Sequence, residues 1–209
     1  MRLIKNTGND RVIDELRQSL PSQSSLDVAS PAFSLFAFAE LRQLLEKLAA
    51  CRVVLPSAKD GDLGLSGADA DRPFRNRLQL RWLARECARW IEKRADLRGA
   101  PSSLPQSILI AGTPEPGPQR VITGNCAFTT EGLGITPGNQ FGLIQCSEGA
   151  DESAVLGSWF TTLWNSLPAA GEQKATMLAR LQEIAEPKSP SLIYYLMLHH
   201  LFKDLGQDL

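Results

Sequence analysis

Between Arg72 and Arg94 the chain carries eight basic residues against two acidic ones, Glu86 and Glu92. Arg77, Arg81, Arg85, Arg89 and Lys93 recur at every fourth position. On a helix they sweep across one arc, while Leu80, Leu83, Ala84, Cys87, Trp90 and Ile91 gather on the other. Trp82 falls within the basic arc. Guanidinium groups bracketing an indole suit phosphate contact combined with base stacking. On that reading Arg77, Arg81, Trp82, Arg85, Arg89 and Lys93 are the nucleic-acid-binding residues. Removing Arg81 and Arg85 is then expected to leave the melting temperature nearly unchanged, because they lie opposite the apolar arc. Two other readings stay open: a solvated face whose Arg stems cover apolar surface, and a surface that docks an acidic patch on a partner.

Nucleophiles are scarce. Cys51, Cys87, Cys126 and Cys146 form no CxxC pair, and the two histidines are the neighbours His199 and His200. A zinc site is not expected from that set. Cys126 lies in a predicted turn, but no histidine stands near it in sequence to lower its pKa, so a structural role is expected. His199 and His200 sit among Tyr194, Tyr195, Leu196, Leu198 and Leu201, which suits core or interface better than a general base. No Asp/Glu pair stands out, there is no Walker-type loop, and no cofactor is expected.

The elements that must position these residues follow from periodicity and breakers. Leu3-Ile4 reads as a short strand, 10–20 as a helix stopped by Pro21, and Ser25–Ser30 as a strand. A helix runs from Pro31 through Ala50, then a β-branched run from Cys51 to Leu55. Strand, helix, strand, helix, strand at this spacing argues for an α/β sheet with parallel neighbours and crossover helices. Ser57–Asp71, rich in Gly, Asp and Ala, reads as a mobile loop, and a long helix follows from Pro73 to Lys93. Ser107–Ala111, Arg120–Thr123 and Gln140–Gln145 read as strands, the first two joined by the Pro/Gly-rich stretch Gly112–Gln119. The remainder is helical over 153–167, 172–185 and 190–205. No internal repeat is visible.

Composition is ordinary for a globular chain of 209 residues, with 43% hydrophobic and 22% charged residues. A formal net charge of −1 rules out a polybasic molecule, so any nucleic-acid contact must be local. No stretch approaches the roughly 18 apolar residues of a membrane span, and Met1–Asn6 lacks the apolar run of a signal peptide. Scattered cysteines without an export signal point to reduced thiols and a cytoplasmic location.

One segment is more specific than these patterns. Val121-Ile122-Thr123-Gly124-Asn125-Cys126-Ala127-Phe128-Thr129-Thr130-Glu131-Gly132-Leu133 resembles the strand-plus-turn of phospholipase D-like nucleases, G-S-x-N-[FL]-T-x-x-G-L. Gly124, Phe128, Thr129, Gly132 and Leu133 match; Asn125 stands where the family has Ser, and Ala127 where it has Asn. The segment 76–91 and the tail 191–202 are similar to helices of degenerate phospholipase D-like domains that precede bacterial SNF2-type helicase motors. The chain also resembles free-standing phospholipase D-like proteins of deazaguanine DNA-modification (Dpd) defence clusters.

The resemblance implies a phospholipase D-like mixed sheet flanked by helices over 1–150, with C-terminal helices over 151–209 packed on it. Active members attack a phosphodiester with the His of H-x-K-x4-D. Here Pro105, Ser107 and Gly112 fall at the His, Lys and Asp positions, and no histidine precedes His199. Gly124, Asn125 and Thr129 would then mark a degenerate active-site turn. The implied function is a non-catalytic module that binds nucleic acid, DNA foremost, or a helicase or DNA-modification partner. Pairing of half-domains in the family implies a homodimer, to which Trp159, Phe160 and Trp164 are expected to contribute if exposed. A divergent phosphodiesterase or nuclease, and a pure protein-interaction subunit docking through its C-terminal helices, remain as alternatives.

Overall fold

The computed structural model describes residues 1–57, 63–112, 120–139, 141–169, 171–187 and 189–202. Among the described residues seven strands form one mixed sheet: β1 Arg2–Leu3, β2 Ser25–Ala29, β3 Ala50–Pro56, β4 Ala95–Ala100, β5 Ser107–Gly112, β6 Arg120–Gly124 and β7 Ile144–Ser147. Their order across the sheet is β1-β7-β6-β5-β2-β3-β4. Strands β2, β3 and β4 run parallel, and the other pairings are antiparallel. The helices are α1 Val12–Ser19, α2 Leu35–Leu45, α3 Arg72–Arg75, α4 Leu80–Arg94, α5 Ala150–Ser166, α6 Gly171–Ala185 and α7 Pro190–Phe202. The α/β class with parallel neighbours read from the sequence is what the chain adopts.

Side chains alternate across the strands, so the sheet separates two cores. Leu26 and Val28 of β2, Val53 and Leu55 of β3, Leu97 of β4, Leu109 of β5 and Ile122 of β6 face the larger core beneath α1, α2 and α4. Val54, Ala100, Ile108, Ile110 and Val121 face the other way, against Phe160, Trp164 and Leu167 of the α5 region. All six residues of β5 are buried, as a central strand covered on both faces requires. Phe160 and Trp164 are therefore core, capped by the Arg52 guanidinium at 5.1 and 5.6 Å, and of the three aromatics expected at an interface only Trp159 is exposed.

Several boundaries move, each for a local reason. Helix α2 starts at Leu35 rather than Pro31, because Ser34 caps it and Phe33 bridges to Phe128 instead. The helix read from Pro73 to Lys93 is two helices, broken where Leu78 takes a φ of 54°. Strand β4 carries Asp96, Arg98 and Gly99 in an edge position, and it escaped the sequence reading for want of an apolar run. Strand β7 lies at 144–147 instead of 140–145. Loop residues 63–71 are packed: Leu63 and Leu65 are buried, and their carbonyls accept from Phe33 and Leu35. Residues 58–62 and 113–119, within the two segments read as loops, lie outside the described residues, as do 203–209.

Candidate nucleic-acid interface

Helix α4 is seated by the apolar arc that its sequence shows. Leu83, Ala84, Cys87, Trp90 and Ile91 are its buried residues, with Trp90 Nε1 donating to Leu45 O at 3.3 Å and its ring 5.5 Å from Phe38. That docking fixes α4 against α2 and turns the basic arc outward, but the arc does not act as one surface. Arg81 Nε and Arg85 Nη2 donate to Ala185 O, at 3.4 and 3.3 Å, where the carbonyl end of α6 has no further helical partner. Arg89 pairs with Glu86 at 2.6 Å. Arg81 and Arg85 thus reach a neighbouring helix through exposed hydrogen bonds, contacts that the isolated helix did not suggest. Arg89 and Lys93 are exposed on the outer turns.

Arg77 and Trp82 belong to a different place. They line a cleft of about 730 Å³ between α2 and the α3–α4 break, together with Arg17, Arg42, Lys47 and Phe74. Glu40 is the one carboxylate in that lining, against four basic side chains. Trp82 is 46% exposed, and the Arg42 guanidinium lies 5.0 Å from its ring centroid. Arg42 is pinned there by Glu86 at 3.3 Å and Glu46 at 3.5 Å. Arg77 lies over Phe74 at 5.1 Å. The positive φ at Leu78 is what separates Arg77 from the α4 stripe and lets it join residues of α1 and α2. Arg17, Arg42 and Lys47 had no signal in the sequence as site residues, since each is a lone cation in an amphipathic stretch.

The turn that carries the family resemblance is built with little tolerance. Gly124 has a φ of 116°, and a Cβ there would come within 2.0 Å of Leu143 O. Asn125 N donates to that same carbonyl at 2.9 Å, and Thr129 Oγ1 accepts from Gly132 N at 3.1 Å. Asn6 Nδ2 ties the turn down by donating to Glu131 O and Gly132 O. A second contact crosses from the packed loop: the buried Asp71 accepts from Thr130 Oγ1, and Thr136 joins the same network. Asn125 and Thr129 line a small cavity of about 290 Å³ with Lys5, Asn6 and Asn139. These groups can donate and accept hydrogen bonds, and Glu131 adds a carboxylate to the lining.

Ser107 pairs directly with Gly124 across β5 and β6, whereas Gly112 lies at the far end of β5 opposite Ser25, so Ser107 sits beside the turn and Gly112 does not. Cys126 is buried, its Sγ is directed at Gly124 O, and burial pushes its thiol up to about 12. It is not a thiolate at neutral pH. His199 and His200 fall on α7, where their side chains lie outside the described set.

Glu15, Cys146 and Glu148 bring three ligand-type atoms together among the described residues. Two cations already occupy this group: Arg2 and Arg120 each bind Glu15, and Arg120 also reaches Glu148 at 3.0 Å. The cluster is an ion-pair clasp joining α1 to β6 and the β1–β7 edge, and the two guanidiniums repel a metal ion.

No family model matches the chain, and no curated protein matches it. Among solved structures it is similar to TrmBL2, an archaeal chromatin protein whose structure shows a novel mode of DNA binding. The TM-score is 0.42 and the identity 12%, over 81% of this chain and 52% of that one. The chain therefore spans about half the length of that protein.

Proposed function

We propose that this chain is a non-catalytic nucleic-acid-binding module of phospholipase D-like type. The observation that carries the reading is the cleft in which Trp82, half-exposed under Arg42, shares its walls with Arg17, Lys47 and Arg77. Cationic side chains beside an accessible indole match the two needs of nucleic-acid contact, neutralised phosphate and a stacking platform. The turn around Gly124, with buried Cys126 and with Ser107 beside it, supports binding without hydrolysis. The resemblance of the turn and helices adds a setting, a module working beside a helicase or a DNA-modification machine.

Salt dependence tests the electrostatic half of this reading. Binding of DNA should weaken steeply as salt rises, because each neutralised phosphate releases condensed counterions. The double variant Lys47→Ala/Arg77→Ala should lower the log–log slope by about one to two units, since both side chains are exposed and neither holds another element. Unchanged slope in that variant would remove the cleft from the binding path. The same titrations should leave the DNA uncut.

A second reading rests on α7. Ile193, Tyr194, Tyr195, Met197 and Phe202 are exposed on a helix of thirteen residues with no charged side chain. An apolar surface of that kind is ordinarily covered by another protein surface. A homodimer through α7 should give a mass near twice 22.9 kDa by light scattering at micromolar concentration, and Tyr194→Glu/Met197→Glu should return it to 22.9 kDa. A wild-type mass of 22.9 kDa would set the dimer aside.

A further inference from the structure

We infer that the cleft between α2 and α4 receives an unpaired base with its flanking phosphate, so that the module selects single-stranded nucleic acid over duplex. This deepens the proposed binding function and rests on it. Three features of the cleft point to that ligand class.

The first is size and concavity. A cleft of about 730 Å³ falls in the range that takes a nucleotide-sized ligand, roughly 300–1,000 Å³. A duplex presents its phosphates on a broad convex surface and keeps its bases stacked on one another, so it can touch the rim but cannot place a base inside. Unpaired nucleotides can be splayed out and stacked on an aromatic ring or a guanidinium plane.

The second is the platform. Trp82 keeps 46% of its surface exposed while the Arg42 guanidinium lies 5.0 Å from the ring centroid. Arg42 does not move freely, because Glu86 and Glu46 hold it. The guanidinium backs the indole, and because its ion pairs already hold it, less side-chain entropy remains to be lost when a base stacks on the exposed remainder of the ring. Trp90 shows the contrast within the same helix: it is 5% exposed and donates its Nε1 proton to Leu45 O, as a structural indole does.

The third is charge distribution. Arg17 stands on the α1 wall, Lys47 just beyond the C-terminus of α2, and Arg77 at the α3–α4 break. They surround the platform instead of continuing the stripe of α4. Arg17 is shared with Glu40 at 3.6 Å, which leaves Lys47 and Arg77 as the cations best placed for a phosphate. A smooth acidic protein surface would need the charges but not the accessible indole among them.

Fluorescence anisotropy with the full chain decides the matter, using a short labelled oligodeoxyadenylate, the same strand annealed into a duplex, and polyglutamate as competitor. Wild type should bind the single strand more tightly than the duplex. Trp82→Ala should weaken single-strand binding roughly 5- to 150-fold, the range that loss of one stacked base produces, with duplex affinity changed less than about twofold. Trp82→Phe should restore most of the loss, because the smaller ring still offers a stacking face. Circular dichroism melts confirm that the variants fold, and Trp82→Leu, which fills the site without a stacking face and should weaken single-strand binding in the same way, carries the test if the alanine variant does not. Equal affinity for single strand and duplex, with the Trp82 variants unchanged, overturns the inference while nucleic-acid binding stands. Displacement by polyglutamate as effective as by oligonucleotide assigns the cleft to acidic protein and also overturns it. Absence of binding to either nucleic acid at low salt removes the inference and the proposed function together.

Discussion

Gly124→Ala should destabilise the protein by about 4 kcal/mol or more, which places it among the exceptional single substitutions. Two independent penalties act at that position. A φ of 116° is open to glycine and strained for any residue with a Cβ. The added Cβ would also stand 2.0 Å from Leu143 O, a backbone atom of the stretch leading into β7 that cannot rotate away. Relief requires parting β6 from β7 where Gly124 pairs with Ile144, and this would release Asn125 N from Leu143 O as well. Urea titration of wild type and variant should show the loss as a lower midpoint at similar slope. A midpoint within error of wild type would mean that the turn accommodates a side chain and is not the close approach described above.

Phe128→Ala should cost about 3–5 kcal/mol, the range for emptying an aromatic site in a core. Phe128 is 1% exposed and stacks on Phe33 with centroids 4.8 Å apart and planes 7° from parallel. Its backbone is clamped at both ends, N donating to Ser30 Oγ at 2.8 Å and O accepting from Ser34 N at 2.9 Å. The surroundings therefore have little freedom to collapse into the cavity, which puts the cost in the upper part of the range. Phe128→Leu should recover much of it by refilling the volume. Because the two rings touch, Phe33→Ala/Phe128→Ala should depart from additivity by roughly 1 kcal/mol in a double-mutant cycle. Additive losses would show that the stack contributes nothing beyond burial of each ring.

These two positions also show how a sequence motif acquires its meaning. Gly124 and Phe128 were legible as parts of a strand-and-turn segment that resembles phospholipase D-like nucleases. Their reasons for being Gly and Phe were not, because Leu143, Phe33 and Ser30 are distant in sequence. Asp71 is a plainer case: it read as one acidic residue of a Gly/Asp-rich loop, and the fold buries it against Thr130. Nothing in the local composition marks a loop carboxylate as a buried acceptor until the partner hydroxyl has been placed.

Local periodicity was enough for the α/β class, the parallel β2–β3 pair, the apolar arc of α4 and the positions of α5 and α6 to within a few residues. Each depends on interactions within a short stretch of chain: which side chains share a face, where proline stops a helix, where a β-branched run begins. Tertiary structure decided the division of the basic residues. Five cations at four-residue spacing looked equivalent on a helical wheel, yet Arg81 and Arg85 face the end of α6, Arg89 meets Glu86, and Arg77 leaves the stripe at Leu78. It also brought Arg17, Arg42 and Lys47 to Trp82 from two earlier elements. A helix's own pattern records how it meets the core, because burial constrains that face; what lies across its solvent side is set by chain that packs there from elsewhere.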